Sequence, residues 1–422
     1  MSPSTPRRLC LCHVLLLLPF LSSSLLAQPW PRFRGPNGDG ISQCTTIPAT
    51  WTAQDYRWKV TLPGAGQSSP VIWGQRVFIT SSIDRDATEI LTCLRASDGE
   101  TLWRKQFSSS THHKHNLNDY ASSTPALDAK RVYMTWTTPQ SYTVVALDQE
   151  HGDERWRRDL GPFVSEHGSG ASPIVFEDLV ILVNDQDGPS SVIALDCTTG
   201  KTRWEAPRRT LKTGYSTPCL YQPQGGQPQL ILSSWAHGLT GLDPRTGKTI
   251  WDLGVFQFRV VGSPIVASGR IVASAGTGGV GKRLVAAQPG RPDQGIEAKV
   301  AYEVTGSLPY VPTSITNGDL LFLWYDHGVV TCLDAPTGKI HWRERVGGDY
   351  FSSPIRVADR LYNVSRDGKV IVLAASKEFH RLGEIDLGEA TKSTLAVADG
   401  TLYLRTLSHL MALRGGGVNG GK

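Results

Sequence analysis

Metal binding and nucleophilic catalysis draw first on histidine and cysteine, and this chain of 422 residues carries eleven of one and seven of the other. Cys10 and Cys12 fall in an N-terminal apolar stretch, leaving Cys44, Cys93, Cys197, Cys219 and Cys332. Their number is odd and their spacing matches no zinc, haem or disulfide framework, so buried free thiols are expected. A metal site needs three imidazoles converging at about 2.1 Å, and most of the histidines are spread too widely for one. The run His112-His-Lys-His-Asn-Leu-Asn-Asp119 could form a local site, with a solvated loop the favoured reading. Two further stretches imitate catalytic motifs. Gly276-Thr-Gly-Gly-Val-Gly281-Lys282 opens like a phosphate-binding loop, but Arg283 replaces the Ser or Thr that would hold magnesium, and no helix follows. Glu166-His-Gly-Ser-Gly170 lacks the strand-to-helix elbow of a hydrolase. No catalytic residue and no metal ligand is assigned.

The elements that carry these residues are short strands. Apolar and polar residues alternate over four to six positions, β-branched residues dominate, and Gly or Pro punctuates every ten or so residues. Trp58, Trp103, Trp156, Trp204, Trp251, Tyr302, Trp342 and Leu382 recur about every 46 residues. A Ser/Thr-Pro start recurs at Pro70, Pro125, Pro173, Pro218, Pro264 and Pro354, with Ser314 and Thr394 expected in the place of the proline. A period of 40–50 residues built from strand and turn signals predicts an all-β propeller with one four-stranded blade per repeat. Eight blades are counted; seven is the alternative if blade 5 or blade 7 is irregular. Trp58 precedes the first repeat and the last repeat lacks an outer strand. The Trp58 strand is therefore expected to complete the final blade, which removes the free sheet edges.

Each unit ends in a sharper motif, as in Ala194-Leu-Asp-Cys-Thr-Thr-Gly200-Lys-Thr-Arg-Trp204 and Gly241-Leu-Asp-Pro-Arg-Thr-Gly247-Lys-Thr-Ile-Trp251. Glycine supplies a positive φ at a tight turn, and the outer-strand indole follows four residues later. Burying one indole covers roughly 150–250 Å², worth some 4–6 kcal/mol gross at about 25 cal/mol per Å². These residues resemble the pyrroloquinoline-quinone-like (PQQ-like) repeat and its motif Ala-x-Asp-x-x-x-Gly-x-x-x-Trp, from about Trp51 to Gly415. The likeness weakens at blade 5, with an insert around Gln288 to Glu297, and at blade 7, where Leu382 stands in. Among members of that family, the resemblance points to the non-catalytic BamB-like branch. The alternative it implies is a PQQ dehydrogenase oxidising an alcohol or sugar, with PQQ and calcium on the axis. No adjacent cysteine pair and no calcium-binding motif can be aligned to that alternative.

Arg7 and Arg8 precede the apolar run Leu9 to Leu26, so residues 1–27 are expected to be a signal peptide cleaved after Ala27. A secreted or periplasmic location follows, without a transmembrane segment in the mature chain. Removing two arginines takes the formal charge from +5 to +3, which argues against a nucleic-acid partner. Residues 28–50 form a leader rich in Pro, Gly and aromatics, expected to lie across the propeller surface with Trp30 and Phe33 as anchors. The propeller occupies 51–415, and the glycine-rich tail 416–422 is expected to be disordered. A monomer is expected.

In such a ring, the loops between blades share one face with the turns joining second to third strands. That face gathers most of the histidines and a set of aromatic and charged residues. The binding-face candidates are Tyr215, Trp235, His237, Arg259, Tyr310, Tyr325, His327, Tyr350, Arg366 and Asp367. A polar–aromatic rim suits recognition. The expected function is a non-catalytic binding or scaffold module without a cofactor, acting on an envelope protein or glycan.

Overall fold

Eight four-stranded antiparallel sheets close into a ring in the computed structural model, which describes residues 28–209 and 211–415. The expected signal peptide and tail lie outside the described residues. Blades 1 to 7 span 71–107, 126–159, 174–208, 219–253, 265–304, 315–345 and 355–386, and blade 8 spans 396–414. The outer strand of blade 8 is Tyr56–Thr61, paired antiparallel with His409–Arg414 so that Trp58 faces Ala412 and Lys59 faces Met411. Eight blades and the N-terminal closing strand are thus both present.

Burial explains why the inner repeats are so apolar. Leu179–Asn184 of blade 3 is buried at every position, whereas the outer strand of blade 2, Glu154–Asp159, buries only Trp156 fully. The second and third strands are sandwiched between neighbouring blades and bury both faces. Outer strands meet solvent on one side and alternate accordingly.

The outer indoles link successive blades. Trp58, Trp103, Trp156, Trp204 and Trp342 donate their Nε1–H to the carbonyls of Ala96, Gln149, Cys197, Pro244 and Ser376 in the next blade, at 2.9–3.1 Å. Beneath each of the first four rings lies a turn glycine. A Cβ on Gly99 would stand 2.9 Å from the Trp58 ring, and one on Gly247 2.5 Å from Trp204. Two junctions use different atoms. Trp251 donates to Gln229 Oε1 of its own blade 4 at 2.7 Å, and Gln229 Nε2 donates to Gly290 O of blade 5 at 2.9 Å. Tyr302 of blade 5 donates its hydroxyl to Ala335 O of blade 6 at 2.6 Å.

Blade 7 breaks the series. Leu382 is 39% exposed, because the blade it should meet has no turn between its third and outer strands. The leader fills that gap. Tyr362 and Arg360 donate to the Ile47 carbonyl at 3.0 Å, and Trp51 is buried in the same apolar cluster as Ile385 and Leu387.

Near the axis runs a belt of hydroxyls. The backbone N–H of Ser69 donates to Thr124 Oγ1, Thr124 to Ser172, Ser172 to Thr217, Thr217 to Ser263, Ser263 to Thr313, Thr313 to Ser353, and Ser353 to Thr394, all at 2.9–3.2 Å. Thr394 thus occupies the hydroxyl slot and Leu395 the proline slot, one residue away from the expected register. The belt stops at the junction of blade 8 with blade 1, where the Ser69 hydroxyl is buried without a partner. There Arg405, 1% exposed, donates Nη1 to Ser68 O, Ser68 Oγ and Thr80 O at 2.7–2.9 Å.

The leader does not lie across the surface. It enters the ring and turns back, running antiparallel to the inner strand of blade 1 at Trp30 and parallel to that of blade 7 at Ile41–Ser42. Trp30 pairs with Ile72 through two 2.9 Å bonds, and Leu127 donates to Pro31 O at 2.7 Å. Arg32 donates to Pro218 O at 2.8 Å; Arg34 donates to Ser314 O at 3.0 Å and Pro354 O at 3.1 Å. Ile41–Ser42 then adds a parallel fifth strand to Ile355–Val357 of blade 7. Backbone carbonyls around the axis act as acceptors, which suits a guanidinium with its fan of donors.

Candidate functional site

The leader closes the channel from one side and leaves a funnel of about 890 Å³ on the other. Phe33 reaches its wall, and the belt hydroxyls from Thr124 to Thr394 line its throat. The rim comes from loops between blades and from second-to-third-strand turns, as the repeat pattern requires.

Six of the ten expected residues meet there: Tyr215, Trp235, Arg259, Tyr310, His327 and Arg366. The other four do not. Tyr350 is 1% exposed and packs edge-on against Trp324, with centroids 5.3 Å apart, so it belongs to the core between blades 6 and 7. His237 is held by Asp252 Oδ2 at 3.0 Å and accepts the Arg209 N–H at 2.9 Å. Tyr325 stacks edge-on to His327 at 5.2 Å. Asp367 is an exposed turn residue hydrogen-bonded to Ser365.

The funnel also recruits residues beyond those ten. His115 and His167 lie with ring centroids 4.7 Å apart, and burial holds the pKa of His167 below its usual value. Asp326, directly before His327 in its turn, is 3% exposed and accepts the N–H groups of Tyr310 and Val311 at 2.7 and 3.0 Å. Burial raises its pKa to about 6, against the pull of those two donors. Asp326 was legible in principle from its position next to His327. Phe33 was not, because its place depends on where the leader goes.

Charges in the funnel are mostly answered in pairs. Glu166 accepts from Arg259 at 3.2 Å and Lys212 at 3.3 Å, while His327 meets Asp349 at 2.7 Å. Burial raises the Tyr215 pKa to about 12, against the pull of the Ser165 side chain. Among the described residues no three His, Cys, Asp or Glu side chains converge on a metal-sized point. The calcium of a quinone site needs clustered carboxylate and amide oxygens. Here the three acidic side chains come from different loops and are each engaged elsewhere, so these residues do not fit that group. The arrangement suits recognition by aromatic faces, hydroxyls and cations.

A family model described as outer membrane protein assembly factor BamB matches residues 87–306 and 297–415. A curated relative, outer membrane protein assembly factor BamB of Alteromonas naphthalenivorans, is 26% identical over 235 residues. That match takes in 49% of this chain and 51% of the relative, so the chain spans about half the length of the protein it matches. The crystal structure of BamB from Moraxella catarrhalis superposes with a TM-score of 0.61 at 16% identity, covering 86% of this chain and 98% of that one. A quinohemoprotein alcohol dehydrogenase from Pseudomonas putida HK5 gives a TM-score of 0.64 at 12% identity, covering 92% and 81%. At these identities the two structural likenesses are likenesses of fold.

Proposed function

This chain belongs to the family of outer membrane protein assembly factor BamB, and from that membership we propose that it is a non-catalytic binding module of cell-envelope protein assembly. Its docking face is the open funnel. The observation that carries the reading is the asymmetry of the ring. One mouth is filled by the leader, while the other presents Tyr215, Trp235, Arg259 and His327 around a concave wall. Aromatic and arginine side chains of this kind dominate recognition energetics when a partner excludes water from them. The apolar stretch Leu9 to Leu26 supports delivery to a secreted or periplasmic location. The partner is an envelope protein or glycan, and no cofactor takes part. A PQQ dehydrogenase remains the rival reading, and its support is the shared propeller fold.

Capture from envelope extract tests the proposal. The purified protein should retain a partner that is lost when Trp235, Arg259 and His327 are changed together to Ala. Partner capture unaffected by the triple change would refute the funnel as the docking face. Dye-coupled alcohol oxidation in the presence of PQQ and calcium would refute the non-catalytic reading.

A further inference from the structure

We propose that the funnel wall around Arg366 and Lys392 is an oxyanion site, which takes the carboxylate or phosphate of a compact, sugar-sized ligand. The inference rests on the reading of the funnel as a docking face. Both side chains line the cavity, one from a turn in blade 7 and the other from the loop entering blade 8. The Arg366 guanidinium lies over Phe351, with Cζ 4.8 Å from the ring centroid, and its buried Nε has no hydrogen-bond partner. Its backbone is fixed by an N–H bond to Asp349 O at 2.7 Å and by the Thr391 N–H at 3.1 Å. The Lys392 ammonium donates to Leu117 O at 2.9 Å. Among the described residues, no carboxylate lies within 4.0 Å of either cation.

Two half-buried cations without a counter-ion repel one another. The Lys392 pKa is lowered accordingly, first by burial and then by Arg366, with Asp119 opposing the fall. Every acidic side chain in the funnel is engaged elsewhere, so this pair remains the open charge. Arg32 and Arg34 of the leader are buried without ion pairs, and Asp39 offsets part of their positive field. A planar guanidinium and an ammonium from adjacent blades offer donors that match an oxyanion's several acceptors. The cavity falls in the volume range of small-ligand sites. Its other walls, with Tyr215, Trp235, Tyr310 and the belt hydroxyls, suit a hydroxylated ring.

Calorimetric titration of the purified protein with glucuronate, glucose 6-phosphate, inorganic phosphate and neutral glucose tests the site. At least one anionic sugar should bind about tenfold or more tightly than glucose, and the stronger of the two tells carboxylate from phosphate. Binding should weaken as salt rises, since the contact is electrostatic. Arg366→Gln and Lys392→Gln should each weaken it about tenfold or more. Without ligand, Lys392→Gln should melt no lower than the unsubstituted protein, because it relieves repulsion; this separates lost binding from lost folding. No binding of any anionic probe at about 10 mM, or equal binding by well-folded variants, would overturn the proposal. Only purified protein is used, so that result would leave the partner-capture test standing, and failed capture would leave this titration standing.

Discussion

Arg405 reaches across the final junction of the ring to Ser68, donating Nη1 to its carbonyl at 2.9 Å and its hydroxyl at 2.7 Å. Seven junctions use a serine or threonine hydroxyl as acceptor for a backbone N–H. The eighth, where blade 8 meets blade 1, uses a guanidinium as donor. Burial lowers the Arg405 pKa to about 10, so this closure carries a desolvation cost that the other junctions avoid.

Arg405→Ala should lower stability by at least ~3 kcal/mol, because it strips charged donors from buried carbonyls at Ser68 and Thr80. Arg405→Met, which keeps volume but not donors, should lose most of that amount. Urea midpoints of the two variants measure it. A loss under about 1 kcal/mol for both would show that the junction holds without this side chain.

Gly99 and Gly74 separate packing from backbone strain. Both have positive φ, +76° and +54°, but a Cβ at Gly99 meets Trp58 and Val60 at 2.9 Å, whereas one at Gly74 meets nothing within 4 Å. Gly74→Ala should cost about 1 kcal/mol. Gly99→Ala should add a further 1–3 kcal/mol or so for overpacking. Equal losses in thermal unfolding would mean that the indole simply moves aside.

Trp58 and Leu382 hold equivalent repeat positions with unequal consequences. Trp58 is 7% exposed and docked; Leu382 is 39% exposed and undocked. Trp58→Ala should cost roughly 3–5 kcal/mol, and Leu382→Ala under about 0.5 kcal/mol. Denaturation of the pair checks the contrast.

Glu389 links stability to acid pH. Burial alone would raise its pKa, but hydrogen bonds from Ser408, Thr406 and His409 outweigh burial and hold it at about 2, below the ordinary 4.5. A carboxyl depressed in the folded state contributes stability that is complete above pH 4.5 and lost as pH falls towards 2. Glu389→Gln should therefore be less stable than the unsubstituted protein at pH 7, with the gap narrowing below pH 4.5. A gap that stays constant down to pH 2.5 would exclude this linkage.

The blades and their closing strand were legible because their signals are local. Glycine and Trp lie four residues apart, a hydroxyl precedes proline, and both recur at one period. The leader's path was not legible. Arg34 binds carbonyls 280 and 320 residues away, and a carbonyl acceptor leaves no mark on residue type. In the funnel, loop assignment found the correct face but could not say which side chains turn inward. Tyr350 and Phe351 are adjacent, yet the first enters the core against Trp324 and the second the cavity. That choice is made by packing between blades. The register at Thr394 was misjudged because Leu395 occupies the proline slot and removes the marker.

The leader's path also governs the order in which the molecule can be finished. Arg34 finds its acceptors only once Ser314 and Pro354 exist, and Tyr56–Thr61 finds its sheet only once His409–Arg414 has emerged. Until then the first segments made are the last to find a home. A growing chain is an open ribbon of nearly complete modules whose clasp fastens only after His409–Arg414 has been made.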